Sequence, residues 1–314
     1  MSPQRLRSQP GGQTPGGSRG GQRRGAAPPN ALFAELLRAA RELLAVRSPL
    51  DAELMVSELL GTWWGQRGGG RRAATVEQLV GEGLVDYAGE QRSPAALALL
   101  SGIACLGTSR QAAKAERAAL QLIEDGVPRP GWAQHLGAVT PAECYVNPDD
   151  LGDTDEVICV FSYAGEEPHA LVSVVDYNAD GMIKDGWVTS RVSKLLDHCR
   201  EASSQRGAEG RHAFRQVDAG QARHMLETAL TMTDSVADPS VSESFASYHA
   251  FIRARIRALP PYRGRSLSAT GERRHAWSRD RRAMLRIVDG TGDPARPARI
   301  RQTSEKLAGR VLCE

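Results

Sequence analysis

The chain has 314 residues, of which 41% are hydrophobic and 25% are charged, and its formal net charge is +3. This length is sufficient for one large or two modest domains with a buried core. No apolar run approaches the roughly 20 residues that cross a bilayer, and no apolar segment follows the N-terminal arginines as a secretory signal requires. We therefore expect a cytoplasmic protein that does not contact membranes.

The cysteine spacing argues against a disulfide framework and against a zinc ribbon. The five cysteines are odd in number, widely spaced and without a CxxC pair. Disulfide frameworks use paired cysteines, and zinc ribbons use closely spaced ones. We expect most of these cysteines to behave as small buried hydrophobic residues.

Residues 1–29 predict a disordered basic arm. They are mainly Gly, Pro, Gln and Arg, with five arginines and no acidic residue. So few apolar side chains cannot offset the backbone entropy lost on ordering, about 1–2 kcal/mol per residue. Arg19, Arg23 and Arg24 lie in an RGG-like stretch, a composition that binds nucleic acid through phosphates. The alternative is a solubilising extension, because no aromatic residues are interleaved with the arginines.

Residues 30–137 predict a helical domain. Apolar residues recur at helical spacing, and Ser48 followed by Pro49 is typical of a helix start. Five helices are expected to begin at the capping residues Asn30, Ser48, Thr75, Ser93 and Thr108 or Ser109. Trp63 and Trp64 follow the second of these helices, and are either a surface for another protein or part of the core.

Residues 138–260 predict an α+β domain. Apolar runs bounded by turn residues indicate an antiparallel β-meander over 157–188, with strands at 157–163, 169–177 and 182–188. Helices are expected at 191–203, after Asp218, and after Ser242 or Ser244. The last helix has an apolar face, and we expect its arginines Arg253, Arg255 and Arg257 to point outward. The predicted fold is α+β, with a helical N-terminal domain followed by a small antiparallel β-meander flanked by helices.

Charge is distributed unevenly along the chain. The segment 143–185 has eleven acidic residues and one basic residue, Lys184, whereas 251–314 has sixteen basic and six acidic residues. These segments can attract each other within one molecule, or the basic end can meet a polyanion. Because residues 261–314 are rich in arginine and poor in apolar residues, we expect a partly disordered tail.

The segment DYNADGMI (176–183) matches the first eight positions of an EF-hand calcium loop. Asp176, Asn178 and Asp180 occupy oxygen-ligand positions in that motif. Its twelfth position, a bidentate carboxylate in EF-hands, is Trp187 here. Asn, Asp and Gly also tolerate positive φ and therefore favour polar hairpin tips. The sequence leaves a weak metal site and a simple turn as alternatives.

His169 and Asp185 lie near the same hairpin. If their side chains share a face with Asp176, they form a small metal or acid–base site. His198 and Cys199 are adjacent on a predicted helix and do not face each other. No nucleotide-binding, nucleophile-elbow or zinc-protease motif is found. We therefore assign no catalytic residue and expect no cofactor.

Two stretches, PLDAELMVSELLGTWWG (49–65) and GEEPHALVSVVDYNADGMIKDGWV (165–188), resemble an actinobacterial protein family to which no activity is assigned. The resemblance implies a shared fold over about 30–260 and carries over no catalytic residue. It also implies a more apolar C-terminal segment than 289–314, so this chain departs from the family there.

These observations favour a non-enzymatic interaction or regulatory protein whose partner is another protein. The enzymatic alternative is a metal-assisted hydrolase centred on the 169–185 hairpin. The third alternative is a nucleic-acid accessory protein that uses its arginine-rich termini.

Overall fold

The computed structural model describes residues 29–64, 72–207 and 213–262. Within them the chain forms eight α-helices and a five-stranded antiparallel sheet, and five helices precede the sheet. The predicted α+β fold class is confirmed. The basic arm with Arg19, Arg23 and Arg24, and nearly all of the predicted tail, including 289–314, lie outside the described residues. None of the described helices has the length and apolar character needed to cross a membrane.

The N-terminal helices begin where local capping chemistry specifies. They are α1 (Pro29–Ala39), α2 (Pro49–Gly61), α3 (Arg72–Glu90), α4 (Pro94–Leu106) and α5 (Ser109–Glu124), with a 3-10 turn at Ala40–Leu44 after α1. Ser48 Oγ accepts hydrogen bonds from the N–H groups of Leu50 and Asp51, at 3.1 and 3.3 Å. Thr108 and Gln111 form a capping box at α5. The predicted starts at Ser48, Ser93 and Thr108 are confirmed, whereas α3 begins before Thr75.

Helix α4 is the centre of the helical core. Residues 95–100 are all buried, and α1, α2, α3 and α5 pack around it. Gly102 lets α2 approach closely, since a Cβ there would lie 2.5 Å from a methyl carbon of Val56. An α-helix that is apolar on every side is stable only when other helices enclose it in this way.

The sheet contains the three predicted strands and two more. Its strands are β1 (Val139–Pro148), β2 (Thr154–Tyr163), β3 (Glu166–Asp176), β4 (Met182–Thr189) and β5 (Arg215–Val217), in the order β4-β3-β2-β1-β5. The predicted meander corresponds to β2, β3 and β4. β1 was not predicted because Pro141 and Pro148 interrupt its pattern, and β5 because it has only three residues.

Each face of the sheet is covered by helices. Helix α6 (Val192–Gln205) packs on one face, where Leu195, Leu196 and Cys199 meet the buried side chains of the strands. Helices α7 (Ala219–Ser235) and α8 (Phe245–Ala258) pack on the other face.

Helix α8 belongs to two hydrophobic cores. Ala250 and Ala254 pack into the helical core, whereas Phe251 and Ile252 pack against the sheet. Ser57 on α2 connects the helices directly, because its Oγ donates to the carbonyl of Ser247 at 2.6 Å and accepts from the N–H of Phe251 at 3.1 Å. α8 therefore holds the helical layer against the sheet.

Candidate functional site

Arg255 lies on the buried face of α8, so the prediction that it points outward is wrong. It is 1% exposed, whereas Arg257 is exposed and Arg253 is partly buried, donating to the carbonyl of Leu106. Position 255 follows Phe251 by four residues and Ile252 by three, which places it on the same apolar stripe. The spacing therefore indicated that Arg255 is buried, but its charge led to the prediction that it is exposed.

The guanidinium of Arg255 contacts acidic, polar and aromatic side chains. Its Nη2 donates to the carboxylate of Glu53 on α2, which is 0% exposed, and to Tyr163 Oη at 2.5 Å. Its Nε donates to His169 Nε2 at 3.2 Å. Its Cζ lies 4.1 Å from the centre of the Phe251 ring, a cation–π distance. Arg255 thus joins α8 to α2, β2 and β3 at one point.

The carboxylate of Glu53 is equally well paired. Tyr163 Oη donates to one oxygen at 2.7 Å, and the backbone N–H of Gly137 donates to the other at 3.0 Å. Cys105 Sγ donates to that second oxygen at 3.4 Å. Buried charges are tolerated only when pairing and hydrogen bonds satisfy them as they do here. We refer to Glu53, Cys105, Tyr163, His169 and Arg255 as the buried ion-pair cluster.

The neutral members of this cluster are held in their uncharged forms. Burial, assisted by the charge of Arg255, lowers the pKa of His169 to about 4. His169 Nε2 must accept from the guanidinium, so the ring proton is on Nδ1, which donates to the carbonyl of Glu167 at 3.0 Å. Burial raises the pKa of the Cys105 thiol to about 12 and also raises the pKa of Tyr163. The cluster therefore offers no thiolate and no free base at neutral pH.

The metal-site residues predicted from sequence are distributed over both ends of β3. His169 lies near its start, in the buried ion-pair cluster, and Asp176 lies at its end. Seven residue-to-residue steps along the extended strand separate them by about 23 Å. The structure therefore does not bring His169 to the hairpin tip.

The other predicted ligands lie at or near that tip. The Asp176 side chain accepts from the N–H of Asn178 at 2.9 Å and pairs with Lys184 at 3.4 Å. Asp180 has a φ of 54°, in the left-handed region that a hairpin tip requires. Asp185 accepts a hydrogen bond from Ser242 at 2.5 Å. Within the described ranges, no three His, Cys, Asp or Glu side chains are grouped to hold a metal ion. A metal site on this hairpin stays a prediction.

The remaining cysteine and tryptophan candidates are mostly core residues. Cys199 is buried, and burial raises its pKa to about 12, while His198 beside it is exposed. Trp64 is also buried, with its ring stacked 4.7 Å from that of His249, and Trp63 packs against the helical core. Of the two alternatives for the tryptophans, the structure supports the core.

A groove of about 550 Å³ opens on the helical layer, between α1 with its 3-10 turn and the junction of α3 and α4. We name it the arginine groove. Its lining combines apolar side chains with arginines and contains no acidic residue; the members are Ala34, Leu37, Arg38, Arg41, Leu44, Tyr87, Gln91, Arg92, Ser93, Pro94 and Ala95.

The arginines of this groove are available for binding. Arg38 and Arg41 are exposed and pair with no acidic side chain among the described residues. Arg92 pairs with Asp125 at 3.2 Å, yet its side chain is 74% exposed. Leu44 is 47% exposed at the same site, a large apolar side chain without a covering element. The groove could not be predicted from sequence because its residues come from elements that are separate along the chain.

No protein family, no curated protein and no solved structure matches this chain significantly.

Proposed function

We propose that this protein is a non-enzymatic interaction protein that binds an acidic, leucine-containing segment of another protein in the arginine groove. The observation that carries the proposal is the composition of the groove: three arginines, an apolar floor and no carboxylate among the lining residues. Membership of the actinobacterial family that 49–65 and 165–188 resemble belongs to the same proposal.

The chemistry of the groove favours a peptide over other ligands. Guanidinium groups bind carboxylates through paired hydrogen bonds, and exposed arginines at a rim accelerate association with an acidic partner. Leu37, Leu44 and Pro94 provide an apolar floor that suits aliphatic side chains. A nucleic acid would use the arginines, but it would find one partly buried aromatic ring, Tyr87, on which to stack its bases.

The contacts within the buried ion-pair cluster favour a structural role for Glu53 and Arg255. Its side chains are hydrogen bonded to one another, and none of the five lines the arginine groove. An acid–base catalyst requires a group that can reach a substrate proton. The cluster instead supports a rigid joint between the helical layer and the sheet.

The test is binding of a short fluorescein-labelled peptide that alternates aspartate with leucine, measured by anisotropy. We expect binding that weakens with salt, because rim charges are screened. The double variant R38E/R41E should weaken binding by about tenfold or more. The matched control R117E changes an exposed arginine of α5 outside the groove and should bind as the wild type does.

Three outcomes oppose the proposal. Equal affinity of the wild type and R38E/R41E would exclude the groove as the binding surface. Equal affinity for a lysine–leucine peptide would exclude recognition of acidic groups. Tighter binding of a single-stranded oligonucleotide, lost in R38E/R41E, would favour the nucleic-acid alternative.

A further inference from the structure

The turn between β1 and β2 presents a leucine among aspartates. We name residues 149–153 the acidic turn; its sequence is DDLGD. Leu151 is 61% exposed, among the most exposed large apolar side chains of the described residues. An exposed leucine flanked by carboxylates has the chemistry that the arginine groove is proposed to recognise.

Side-chain and backbone hydrogen bonds hold the acidic turn in a defined conformation. Asp149 Oδ1 accepts from the N–H of Asp153 at 2.7 Å, and the N–H of Asp149 donates to the carbonyl of Thr154 at 3.0 Å. Gly152 has a φ of 69°, which closes the turn without steric cost. The carbonyl of Asp153 accepts from the N–H of Tyr177 on the neighbouring hairpin at 2.9 Å. A preorganised turn loses little conformational entropy on binding.

The charges of the acidic turn are only partly neutralised within the molecule. Asp150 pairs with Arg206 at the end of α6, at 3.0 Å. Asp149 and Asp153 form no ion pair with the described residues. The turn is anchored beside α6, whereas the groove is formed by α1, α3 and α4.

We infer that the acidic turn of one copy docks into the arginine groove of a second copy, with Leu151 on the apolar floor and the aspartates against Arg38 and Arg41. This inference rests on the proposed function, since it names the partner segment for the same groove. The two patches differ, so the contact is head-to-tail, and repetition produces a ring or an open chain of copies.

Two variants of the full-length chain test this geometry. R38D/R41D keeps the acidic turn and loses the groove, whereas L151S/D153R keeps the groove and loses the turn. Asp149 is left unchanged because its side chain supports the turn. Each variant alone has one competent patch and should associate more weakly than the wild type. An equimolar mixture retains one matched pair of patches and should form a heterodimer that grows no further.

Sedimentation equilibrium of the wild type, both variants, their mixture and the control R117D measures these states. We expect mass to increase with concentration for the wild type and for R117D, and about tenfold weaker association for each variant alone. A wild type that stays monomeric while still binding the aspartate–leucine peptide overturns the second copy as partner and leaves the proposed function intact. A wild type that neither self-associates nor binds the aspartate–leucine peptide refutes both this inference and the proposed function. Association that persists in R38D/R41D locates the contact elsewhere and overturns this inference.

Discussion

The guanidinium of Arg255 on α8 donates to the carboxylate of Glu53 on α2, and both side chains are almost completely shielded from water. The two residues are 202 positions apart in the chain. Their pair lies where the helical core meets the sheet, and His169 and Tyr163 extend it onto β3 and β2. A buried pair of this kind fixes the relative position of its elements, because either charge alone is costly in the core.

Removing Arg255 alone should destabilise the protein strongly. R255M leaves Glu53 buried without its positive partner, and we expect a loss of about 3–5 kcal/mol in the free energy of unfolding. Adding E53Q removes the unpaired charge and should restore a large part of that loss. Urea denaturation followed by circular dichroism measures the free energy of unfolding of the wild type, R255M and R255M/E53Q. R117M, an exposed control on α5, should differ from wild type by less than about 0.5 kcal/mol. An R255M protein within about 1 kcal/mol of wild type would contradict a stabilising role for the pair.

His169 should make stability depend on pH in a defined window. Its pKa is lowered to about 4 in the folded protein from an ordinary value of 6.5. Between these values the unfolded chain binds more protons, so stability is fully present above about 6.5 and declines as the pH falls towards about 4. The contribution amounts to about 3 kcal/mol.

Urea denaturation across this window, in wild type and H169Q, isolates the effect of His169. The decline should be smaller in H169Q, because the residue that binds the extra proton on unfolding is gone. The exposed His135 provides the control, and H135Q should retain the wild-type decline. Parallel curves for wild type and H169Q would show that another group causes the pH dependence.

The close approach of α2 and α8 should tolerate no side chain at Gly61. A Cβ at this position would lie 2.3 Å from the backbone carbonyl oxygen of Ala246, and backbone cannot move aside as a side chain can. We expect G61A to cost about 1–3 kcal/mol by thermal or urea denaturation. Gly131 is the matched control, since a Cβ there would have no other atom within 4 Å. Equal stability of G61A and G131A would mean that the helices are not in close contact at this point.

Divalent cations should leave the melting temperature of the protein unchanged, because we do not expect the hairpin to form a metal site. His169 is about 23 Å from Asp176 along β3, Asp185 is hydrogen bonded to Ser242, and the twelfth loop position is Trp187. Differential scanning fluorimetry with Ca²⁺, Mg²⁺ or Zn²⁺ should therefore show no rise in Tm. A rise that disappears in D176A would instead support the metal-assisted hydrolase. Without cations, D176A should cost about 1 kcal/mol through loss of the cap on Asn178.

The helix starts and the central strands follow from the sequence because the interactions that specify them are local. Ser48 caps α2 through N–H groups two and three residues away, and Thr108 caps α5 in the same manner. The runs that became β2, β3 and β4 are apolar and bounded by turn residues. Capping and turn chemistry need only a few adjacent residues, so they can be recognised without the tertiary fold.

Tertiary structure decided which side chains meet at the candidate sites. Strand β5 has three residues, two of them polar, and exists because its backbone pairs with β1. Arg255 lies in the core because Glu53 is there to pair with it, and His169 is buried with it instead of meeting Asp176. The arginine groove forms where α1, α3 and α4 meet. Local sequence specifies which elements form, whereas the burial of a charge depends on a partner that the fold brings from far along the chain.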